Sequence, residues 1–367
     1  MQCIILKKSD GIEFNYIRGE MIIMSKKNIS IKEIAKLANV SVATVSRVIN
    51  NNGRFSEATK ERVENIIKEY GYTTNIAAKS LRTSKSKTIG LIVPHINNEW
   101  FSQLALEIEN YFFDKNYSVF ICNTSQDENK EIAYFKSLDS KLVDGIICIS
   151  GIEQIPTNSL SRNIPIVCID RKPKDHSHAY YVESNHYLGG YLATEELIKQ
   201  GCENIVILSR NRSLSVNKLR RSGYYQALED YHLEHNKDLE LLLDIDTANY
   251  EGSKKAVSEL IEKGIKFDGI FATNDWRAYG ALTALLEHHI KVPEEVKIIG
   301  FDDIFISRTS HPSLSTVRQD TPGLAKTASE LLMSLMNDEE IENNKQRYIL
   351  PVEVIRREST EKGTDLE

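Results

Sequence analysis

The chain has 367 residues, of which 41% are hydrophobic and 27% are charged, and its formal net charge is −6. This length predicts two or three folded units, and the acidic balance argues against a general basic coat for nucleic acid. The charge is nevertheless uneven. Residues 24–85 carry twelve Lys and Arg against five Asp and Glu, whereas residues 86–367 carry a net charge of −13. A basic N-terminal piece on an acidic body is suited to attracting phosphates at one end only.

The cysteines and apolar runs exclude several classes of protein. Five cysteines are spread along the chain without a CxxC pair or an accompanying histidine spacing: Cys3, Cys122, Cys148, Cys168 and Cys202. We therefore expect neither a metal site, a disulfide frame nor a cofactor. The longest apolar run near the start is Cys3–Leu6, and no run approaches the ~18 residues of a membrane helix. These patterns predict a soluble cytoplasmic protein.

Residues 1–23 fit none of the patterns that follow them. Arg18-Gly19-Glu20 can be encoded as AGG-GGN-GAR, which resembles a ribosome-binding sequence just upstream of Met24. We therefore expect translation to begin at Met24. If residues 1–23 belong to the protein, we expect them to form a disordered tail.

A pair of short helices is predicted next. Ser30 and Glu33 form the capping-box pattern of a helix start before an apolar-periodic run, and this first helix is predicted to reach about Ala38. After a short turn, Ser41 can cap a second helix over Val42–Asn50. The spacing is typical of a helix-turn-helix whose second helix reads DNA. Capped amphipathic helix pairs also occur in many other folds, so the pattern alone leaves DNA binding open.

A third helix is predicted over Glu57–Tyr70. Apolar residues recur along it at helical spacing: Val63, Ile66, Ile67 and Tyr70. This face is expected to close a small three-helix core, with Tyr70 as its last member.

Beyond a polar linker, short apolar runs alternate with helical segments. Strands are predicted at Ile89–Pro94, Ser118–Asn123, Gly145–Ser150, Ile164–Asp170, Asn204–Ser209, Leu241–Ile245, Asp268–Thr273 and Val296–Phe301. Helices are predicted at Phe101–Lys115, Asn129–Lys141, Tyr187–Lys199, Val216–Tyr231, Tyr250–Gly264 and Trp276–His288. Such alternation predicts parallel sheets with helices on both faces. The string apolar-Asp-Gly-Ile occurs at Val143–Ile146 and again at Phe267–Ile270, which favours two alike lobes.

The C-terminal part is expected to cross back and complete the first lobe. It contains a predicted strand at Leu314–Gln319, a helix at Pro322–Met336 and a strand at Tyr348–Arg356. The first lobe would then comprise residues 89–184 and 318–358, and the second lobe residues 185–317. Ligands of such sheets bind beyond the carboxyl ends of the strands, so the cleft between the lobes is the expected site.

Three strings identify a resemblance: AKLANVSVATVSRVIN at 35–50, SEAT at 56–59 and Gly71-Tyr72-x-x-Asn75. They closely resemble the lactose/galactose repressor family, and the likeness extends over about residues 28–358. The resemblance implies an all-α helix-turn-helix headpiece at 24–73, a hinge helix and linker at 74–88, and an α/β core at 89–358. That core would have two doubly wound parallel-sheet lobes, like type I periplasmic binding proteins. It also implies a sequence-specific transcriptional regulator, which we expect to be a repressor.

The resemblance implies an effector pocket. Its residues here would be Asn98, Trp100, Phe101, Leu104, Asp170, Arg220, Asn274, Asp302 and Gln319. Carboxylates accept hydrogen bonds from sugar hydroxyls and guanidinium groups donate them, so a sugar or sugar phosphate is expected. Packing at a helix start is the alternative for Trp100, and Asp275 and Asp303 are expected to be structural. The chain departs from the common family residues at Thr73-Thr74, His95, Glu99 and Ser184, which leaves the effector's identity open.

The implied DNA contacts can be sorted by chemistry. Val42 and Ala43 offer apolar surface to a thymine methyl group, and Arg47 can donate to guanine O6 and N7, so these three should specify sequence. Short polar side chains should instead position the helix on phosphates: Ser41, Thr44, Ser46 and Asn50. In the hinge segment, which begins at Asn75, the family places a leucine in the minor groove. The corresponding residue here is Leu81, with Ala78 beside it, and all three are expected to contact DNA.

The expected partners are a pseudo-palindromic double-stranded operator, a carbohydrate effector and a second copy of the chain. Residues 359–367 lack the leucine heptad of tetrameric family members, so a homodimer is expected. Whether the effector induces or corepresses stays open. The competing classes are an enzyme, a solute-binding protein for transport and a regulator controlled by a protein corepressor. No GxGxxG follows the first strand and no GxxxxGK[ST] is present, so Gly189-Gly190 is a weak signal for nucleotide binding.

Overall fold

The computed structural model describes residues 29–72, 85–149, 155–156, 160–170, 179–211, 215–244, 249–341 and 346–361, and the backbone of 14–17 and 20–23. The chain divides into two compact units between Thr83 and Ser84. The predicted hinge residues Asn75, Ala78 and Leu81 lie outside the described residues, so their DNA contact stays a prediction. None of the described helices is long and apolar enough to cross a membrane.

The first unit contains the three predicted helices, α1 (Ile31–Leu37), α2 (Val42–Ile49) and α3 (Glu57–Tyr70). A serine caps each of them by accepting a hydrogen bond from a backbone N–H in the first turn: Ser30, Ser41 and Ser56. The Ser30 backbone N–H also donates to the Glu33 carboxylate across 2.7 Å, which completes the predicted capping box.

The headpiece core is formed by apolar side chains from all three helices. The buried members are Ile34, Ala35, Ala38, Val45, Val48 and Val63. Tyr70 was predicted to join them but is 39% exposed, and Tyr72 packs against the core instead. The reason is local, because Gly71 adopts a left-handed φ of 62° that ends α3 and turns the following residue inward.

The N-terminal extension contains regular structure, contrary to the expected disordered tail. Strands β1 (Phe14–Ile17) and β2 (Glu20–Ile23) pair in antiparallel fashion, with Ile17 opposite Glu20. Both strands are rich in aromatic and branched residues, which favour extended backbone.

Lobe 1 is built on a sheet of six parallel strands. Its strands are β3 (Thr88–Val93), β4 (Ser118–Asn123), β5 (Gly145–Ile149), β6 (Ile166–Ile169), β7 (Ala179–Ser184) and β13 (Arg347–Leu350), in the order β13-β7-β6-β5-β3-β4. Helices α4 (Glu99–Phe113), α5 (Glu128–Ser140) and α11 (Thr321–Met336) cover its faces.

Lobe 2 repeats this arrangement. Strands β8 (Ile205–Arg210), β9 (Glu240–Leu243), β10 (Gly269–Ala272), β11 (Lys297–Phe301), β12 (Ser315–Gln319) and β14 (Val352–Ile355) follow the order β14-β12-β11-β10-β8-β9, and only β14 is antiparallel. The helices are α6 (His186–Lys199), α7 (Ser215–Asp230), α8 (Tyr250–Glu262), α9 (Asp275–Glu287) and the short α10 (Phe305–Thr309). The expected pair of doubly wound lobes is therefore confirmed.

The C-terminal connection differs from the prediction. The strand expected over Tyr348–Arg356 is two strands, because Pro351 between them cannot donate a ladder hydrogen bond. Val352–Ile355 pairs with β12 in lobe 2, and Arg318 and Gln319 also belong to that sheet. These residues were assigned to lobe 1, and the assignment was wrong.

The recurring Asp-Gly-Ile string has a structural reason. Asp144 accepts hydrogen bonds from the backbone N–H groups of Ser86 and Lys87, just before the first strand of lobe 1. Asp268 accepts from the N–H groups of Glu203 and Asn204, just before the first strand of lobe 2. Each aspartate therefore ties the start of its lobe to the neighbouring central strand.

Candidate functional site

Helix α2 presents an exposed face. Val45 and Val48 are buried in the headpiece core, whereas Val42 is 40% exposed and Ala43 and Arg47 are also exposed. The three residues predicted to read bases therefore lie on the side of the helix that is open to solvent.

The short polar residues of α2 already have partners within the helix. The Ser41 hydroxyl accepts from the Thr44 backbone N–H across 3.1 Å, and the two hydroxyl oxygens are 2.9 Å apart. Asn50 Nδ2 donates to the Ser46 carbonyl across 2.7 Å. Because a hydroxyl can both accept and donate, these contacts are compatible with the predicted phosphate contacts, which stay predictions.

The Arg47 side chain lies over the turn that follows α2. A Cβ placed on Gly53 would come within 3.2 Å of the Arg47 Cδ, and Gly53 has a positive φ of 92°. Glycine at this position therefore permits both the turn and the close passage of the Arg47 stem.

Two of the predicted cleft residues, Asp170 and Asp302, occupy equivalent places in the two lobes. Each is the first residue after the fourth strand along the chain, and each has a positive φ, of 52° and 111° respectively. Each also donates its backbone N–H to the next strand, to Val182 and Val317. Such backbone conformations are costly for residues other than glycine and are concentrated at functional sites.

His186 and Arg220 connect these two carboxylates. His186 Nε2 lies 2.8 Å from Asp170 Oδ1, and its Nδ1 lies 3.3 Å from Nη2 of Arg220. A guanidinium nitrogen can only donate, so Nδ1 accepts and the ring proton is on Nε2, which donates to Asp170. Arg220 Nη2 also lies 3.5 Å from Asp302 Oδ1, and Nη1 donates to the Thr273 carbonyl across 2.6 Å.

Gln319 ends this chain of contacts. Its Nε2 donates to Asp302 Oδ1 across 2.8 Å, whereas its buried Oε1 has no hydrogen-bond partner among the described residues. Burial raises the pKa of Asp302 to about 6 despite the attraction of Arg220. The structure thus brings together four predicted residues, Asp170, Arg220, Asp302 and Gln319, in one buried polar chain.

The neighbouring polar residues hold helices in place. Asn274 caps α9 by accepting from the Arg277 N–H across 2.9 Å. Asp275 accepts from the Thr316 hydroxyl and the Ile304 N–H, and burial raises its pKa well above the ordinary value. Asp303 accepts from Arg357 across 2.5 Å. Asp275 and Asp303 are therefore tied to the fold, whereas ligand contact by Asn274 stays a prediction.

The predicted residues of the first strand-to-helix crossing lie mostly in the lobe-1 core. Asn98 caps α4 by accepting from the Trp100 N–H across 3.0 Å. Trp100 is 6% exposed and Leu104 is fully buried, and half-buried Phe101 packs beside them. Trp100 Nε1 has no hydrogen-bond partner among the described residues. Packing accounts for Leu104, and the effector contacts of this group stay predictions.

Two contacts between the lobes were not expected from the sequence. Arg210, at the end of β8, donates to the side-chain oxygen of Gln126 in lobe 1 across 2.5 Å. The Glu99 carboxylate of lobe 1 accepts from the Phe305 N–H across 2.9 Å, at the start of α10. Glu99 therefore caps a helix of the opposite lobe, where the N-cap residue, Ile304, provides no side-chain acceptor.

Sequence reasoning also missed His186, Arg210 and Arg277. Arg210 ends β8, whereas His186 and Arg277 lie in the first turns of α6 and α9, which directly follow β7 and β10. Arg277 Nη1 donates to the Thr273 hydroxyl across 3.2 Å. Position at a strand end, or in the first turn of the helix that follows the strand, is the signal that could have found them.

Two family models match separate parts of the chain, one in the headpiece and one in the two-lobed core. Residues 30–75 match the family model of bacterial regulatory proteins of the lacI family, and residues 194–360 match that of the periplasmic binding protein-like domain. An HTH-type transcriptional repressor PurR of Aliivibrio salmonicida is 32% identical over 336 residues, which cover 91% of this chain and 99% of that protein.

Two solved structures are similar to the chain. A periplasmic binding protein/LacI transcriptional regulator from Alkaliphilus metalliredigens, complexed with D-xylulofuranose, is 32% identical with a TM-score of 0.64, covering 75% of this chain and 99% of that one. A lac repressor dimer bound to operator and the anti-inducer ONPF shares the fold, with a TM-score of 0.77 at 24% identity, covering 91% and 99%. With its helix-turn-helix headpiece and two-lobed core, this chain belongs to the LacI family of bacterial transcriptional regulators.

Proposed function

We propose that the chain represses transcription as a homodimer on a pseudo-palindromic operator, and that a carbohydrate-type effector in the cleft between the lobes controls its operator affinity. The observation that carries this proposal is the buried polar chain from Asp170 through His186, Arg220 and Asp302 to Gln319. A buried polar network at the carboxyl ends of strands is costly to maintain unless it is satisfied, and here it faces the position where doubly wound folds bind ligands.

The polar chain connects the two lobes. Asp170 follows a strand of lobe 1, whereas Arg220, Asp302 and Gln319 belong to lobe 2. A ligand that accepts from Arg220 and donates to Asp302 would add contacts only when both lobes are in the matching arrangement. Its binding energy would then favour one relative position of the lobes, which is the requirement for allosteric control.

A solved relative supports the carbohydrate class. The Alkaliphilus metalliredigens protein, which is 32% identical, holds D-xylulofuranose. The present cleft offers carboxylate acceptors in Asp170 and Asp302 and an amide oxygen in Gln319 that has no partner among the described residues. Acceptors of this kind are suited to neighbouring sugar hydroxyls.

The DNA-binding proposal rests on the open face of α2. Val42, Ala43 and Arg47 provide apolar contact and a guanidinium fork for base edges. Ser41 caps the start of α2, where the residues proposed to read bases begin. The cap therefore fixes the position of these residues.

The proposed second copy would cover an apolar surface on lobe 1. Large apolar side chains are exposed on α4, at Leu106 and Phe113, and on the two faces of the edge strand β4, at Phe120 and Ile121. Phe113 is 69% exposed. An exposed apolar patch beside an unpaired strand edge is typical of a surface that is covered in the assembly.

A paired screen tests the proposal. The full chain is heated with sugars, sugar phosphates, sugar alcohols and purines, and compounds that raise its melting temperature are then tested for their effect on operator binding. A ligand at a hundredfold excess over its dissociation constant stabilises by about 2.7 kcal/mol. We expect at least one carbohydrate to stabilise the wild type and to change its operator affinity.

The matched controls are Asp302→Asn in the cleft and Glu259→Gln on the exposed face of α8. The first substitution should remove the ligand-induced stabilisation, and the second should retain it. Equal stabilisation of both variants would show that the ligand binds outside the cleft. No response of operator binding to any carbohydrate would contradict effector control of this class.

A further inference from the structure

The start of α4 in lobe 1 contacts the start of α10 in lobe 2. Glu99, the first residue of α4, accepts a hydrogen bond from the Phe305 N–H across 2.9 Å. Phe305 is the first residue of α10, and the N-cap residue before it, Ile304, provides no side-chain acceptor. Glu99 therefore supplies from lobe 1 the acceptor that side-chain capping within α10 does not provide.

Apolar packing accompanies this hydrogen bond. Ile304 is 6% exposed and belongs to the buried apolar cluster of lobe 1, together with Trp100 and Leu104. Ile306 packs against the same cluster. Two residues of lobe 2 thus pack on side chains of lobe 1, and separation of the lobes at this point exposes apolar surface to water.

Lobe 2 holds its side of this contact in place. The Ile304 N–H donates to the Asp275 carboxylate across 2.9 Å, and the Ile304 carbonyl accepts from the Ser307 hydroxyl across 2.6 Å. The segment that meets Glu99 is therefore fixed to lobe 2 next to Phe305. When the lobes separate, the Glu99 contact has to break, because α10 cannot follow lobe 1.

The contact lies away from the points where the chain crosses between the lobes. The crossings follow β7, β12 and β13, and β7 and β13 stand at one end of the lobe-1 strand order. Glu99 follows β3 and Gln126 follows β4, at the opposite end of that order. Gln126 accepts a hydrogen bond from Arg210 of lobe 2. Both contacts therefore lie on the side of lobe 1 that moves most when the lobes rotate about the crossings.

We propose that Glu99 latches the two lobes in this arrangement, with Gln126 as the second contact of the same latch. Both contacts are made by protein atoms alone, so they stabilise the arrangement whether or not a ligand is bound. An effector that favours the same arrangement adds to the latch, and an effector that favours another arrangement has to break it. Such a latch acts on the lobes themselves and is independent of the class of effector.

Hydrogen exchange at the Phe305 N–H tests the latch in the full chain. Mass spectrometry with fragmentation assigns exchange to single residues, and the Ile304 N–H, which donates within lobe 2, is the internal reference for a folded variant. In Glu99→Ala, the Phe305 N–H should exchange about tenfold faster than in the wild type, which corresponds to about 1.4 kcal/mol. The Ile304 N–H should be unchanged.

Two conservative variants separate the latch from the effect of a charge at the start of α4. Glu99 lies in the first turn of α4, where a carboxylate also interacts favourably with the helix dipole. Glu99→Gln removes the charge and keeps an oxygen acceptor at the same reach, so the Phe305 N–H should stay protected. Glu99→Asp keeps the charge and shortens the side chain by one carbon, so exchange should be as fast as in Glu99→Ala. The reverse order of these two variants overturns the latch.

Gln126→Ala tests whether the two contacts resist the same opening. Gln126 contacts Arg210 rather than α10, but its loss should also speed exchange at the Phe305 N–H, because both contacts break when the lobes separate. The matched control is Glu107→Ala, since the Glu107 carboxylate accepts from Gln103 within α4 across 3.0 Å. This control should leave the exchange unchanged.

Three results would overturn the latch. The first is wild-type exchange at the Phe305 N–H in Glu99→Ala, and the second is an equal acceleration in Glu107→Ala. The third is wild-type exchange in Gln126→Ala, which would show that the two contacts do not act together.

Discussion

The guanidinium carbon of Arg220 lies 3.5 Å from the centre of the Phe301 ring, so the cation stacks on the aromatic face. The ring in turn packs on Gly189, where a Cβ would lie 2.7 Å from it. The backbones of α6 and α7 are in contact where the two helices cross. A Cβ on Gly190 would lie 2.0 Å from the Arg220 carbonyl oxygen, so a larger residue does not fit there. Gly223 faces the Tyr187 carbonyl in the same way. These glycines allow the close packing that positions Arg220. Gly189-Gly190 therefore has a packing role.

Gly190→Ala should therefore destabilise the protein and displace Arg220. The added methyl group meets backbone rather than a movable side chain, so we expect a loss of about 3 kcal/mol or more in the free energy of unfolding. Urea denaturation measures it. Gly201→Ala is the matched control, since Gly201 has a φ of 88° but open space around the added Cβ. It should cost only about 1–2 kcal/mol, and an equal cost for both variants would contradict the close crossing.

His186→Ala should be strongly destabilising. His186 is fully buried and connects Asp170 with Arg220, so its removal leaves a buried carboxylate and a guanidinium group without that contact. We expect a loss of about 3 kcal/mol by urea denaturation. His186→Gln retains a donor and an acceptor and should recover part of it. If alanine and glutamine cost the same, the contribution of His186 is packing rather than hydrogen bonding.

The stability of the wild type relative to Asp302→Asn should depend on pH. Burial raises the folded-state pKa of Asp302 to about 6 from an ordinary value of 3.8. The carboxyl group therefore stays protonated up to a higher pH in the folded state than in the unfolded state. The contribution of Asp302 to stability is therefore present below about pH 4 and is lost as the pH rises to about 6. Relative to Asp302→Asn, the wild type should lose up to about 3 kcal/mol over that interval and nothing further above it. A constant difference between pH 4 and pH 7 would show that the carboxyl group titrates normally.

Arg47 is predicted to read a base. Arg47→Ala should cost about 1–3 kcal/mol of operator binding and relax discrimination at one base-pair position. Arg47→Lys keeps the charge and removes the planar fork, so it should retain affinity for non-specific DNA and lose the same discrimination. Binding to operators substituted at each position, measured by fluorescence anisotropy, distinguishes the two effects. Uniform weakening on every sequence would assign Arg47 to a phosphate.

The headpiece could be predicted because its signals are local. A serine with its partner three residues later marks the start of α1. Asp170 and Asp302 were identified through the resemblance to the lactose/galactose repressor family, and parallel strands bring such positions to one edge of each sheet.

The remaining features depend on distant segments that only folding brings together. Arg210 and Gln126 are 84 residues apart, and Glu99 caps a helix 206 residues further along the chain. No periodicity or spacing in the sequence encodes such pairs. The position of Val352–Ile355 in lobe 2 likewise depends on the chain crossing between the sheets at Pro351, which a pattern of extended residues does not reveal.

We propose that one molecule couples operator binding on α2 to ligand binding in the cleft. The most direct measurement is the operator affinity of the full chain, by fluorescence anisotropy on a fragment selected from random DNA, with and without a ligand that stabilises the protein. We expect the ligand to change the operator dissociation constant of the wild type about tenfold or more, whereas Asp302→Asn should bind the operator and no longer respond. A wild type that prefers no sequence, or an identical ligand response in Asp302→Asn, would contradict it.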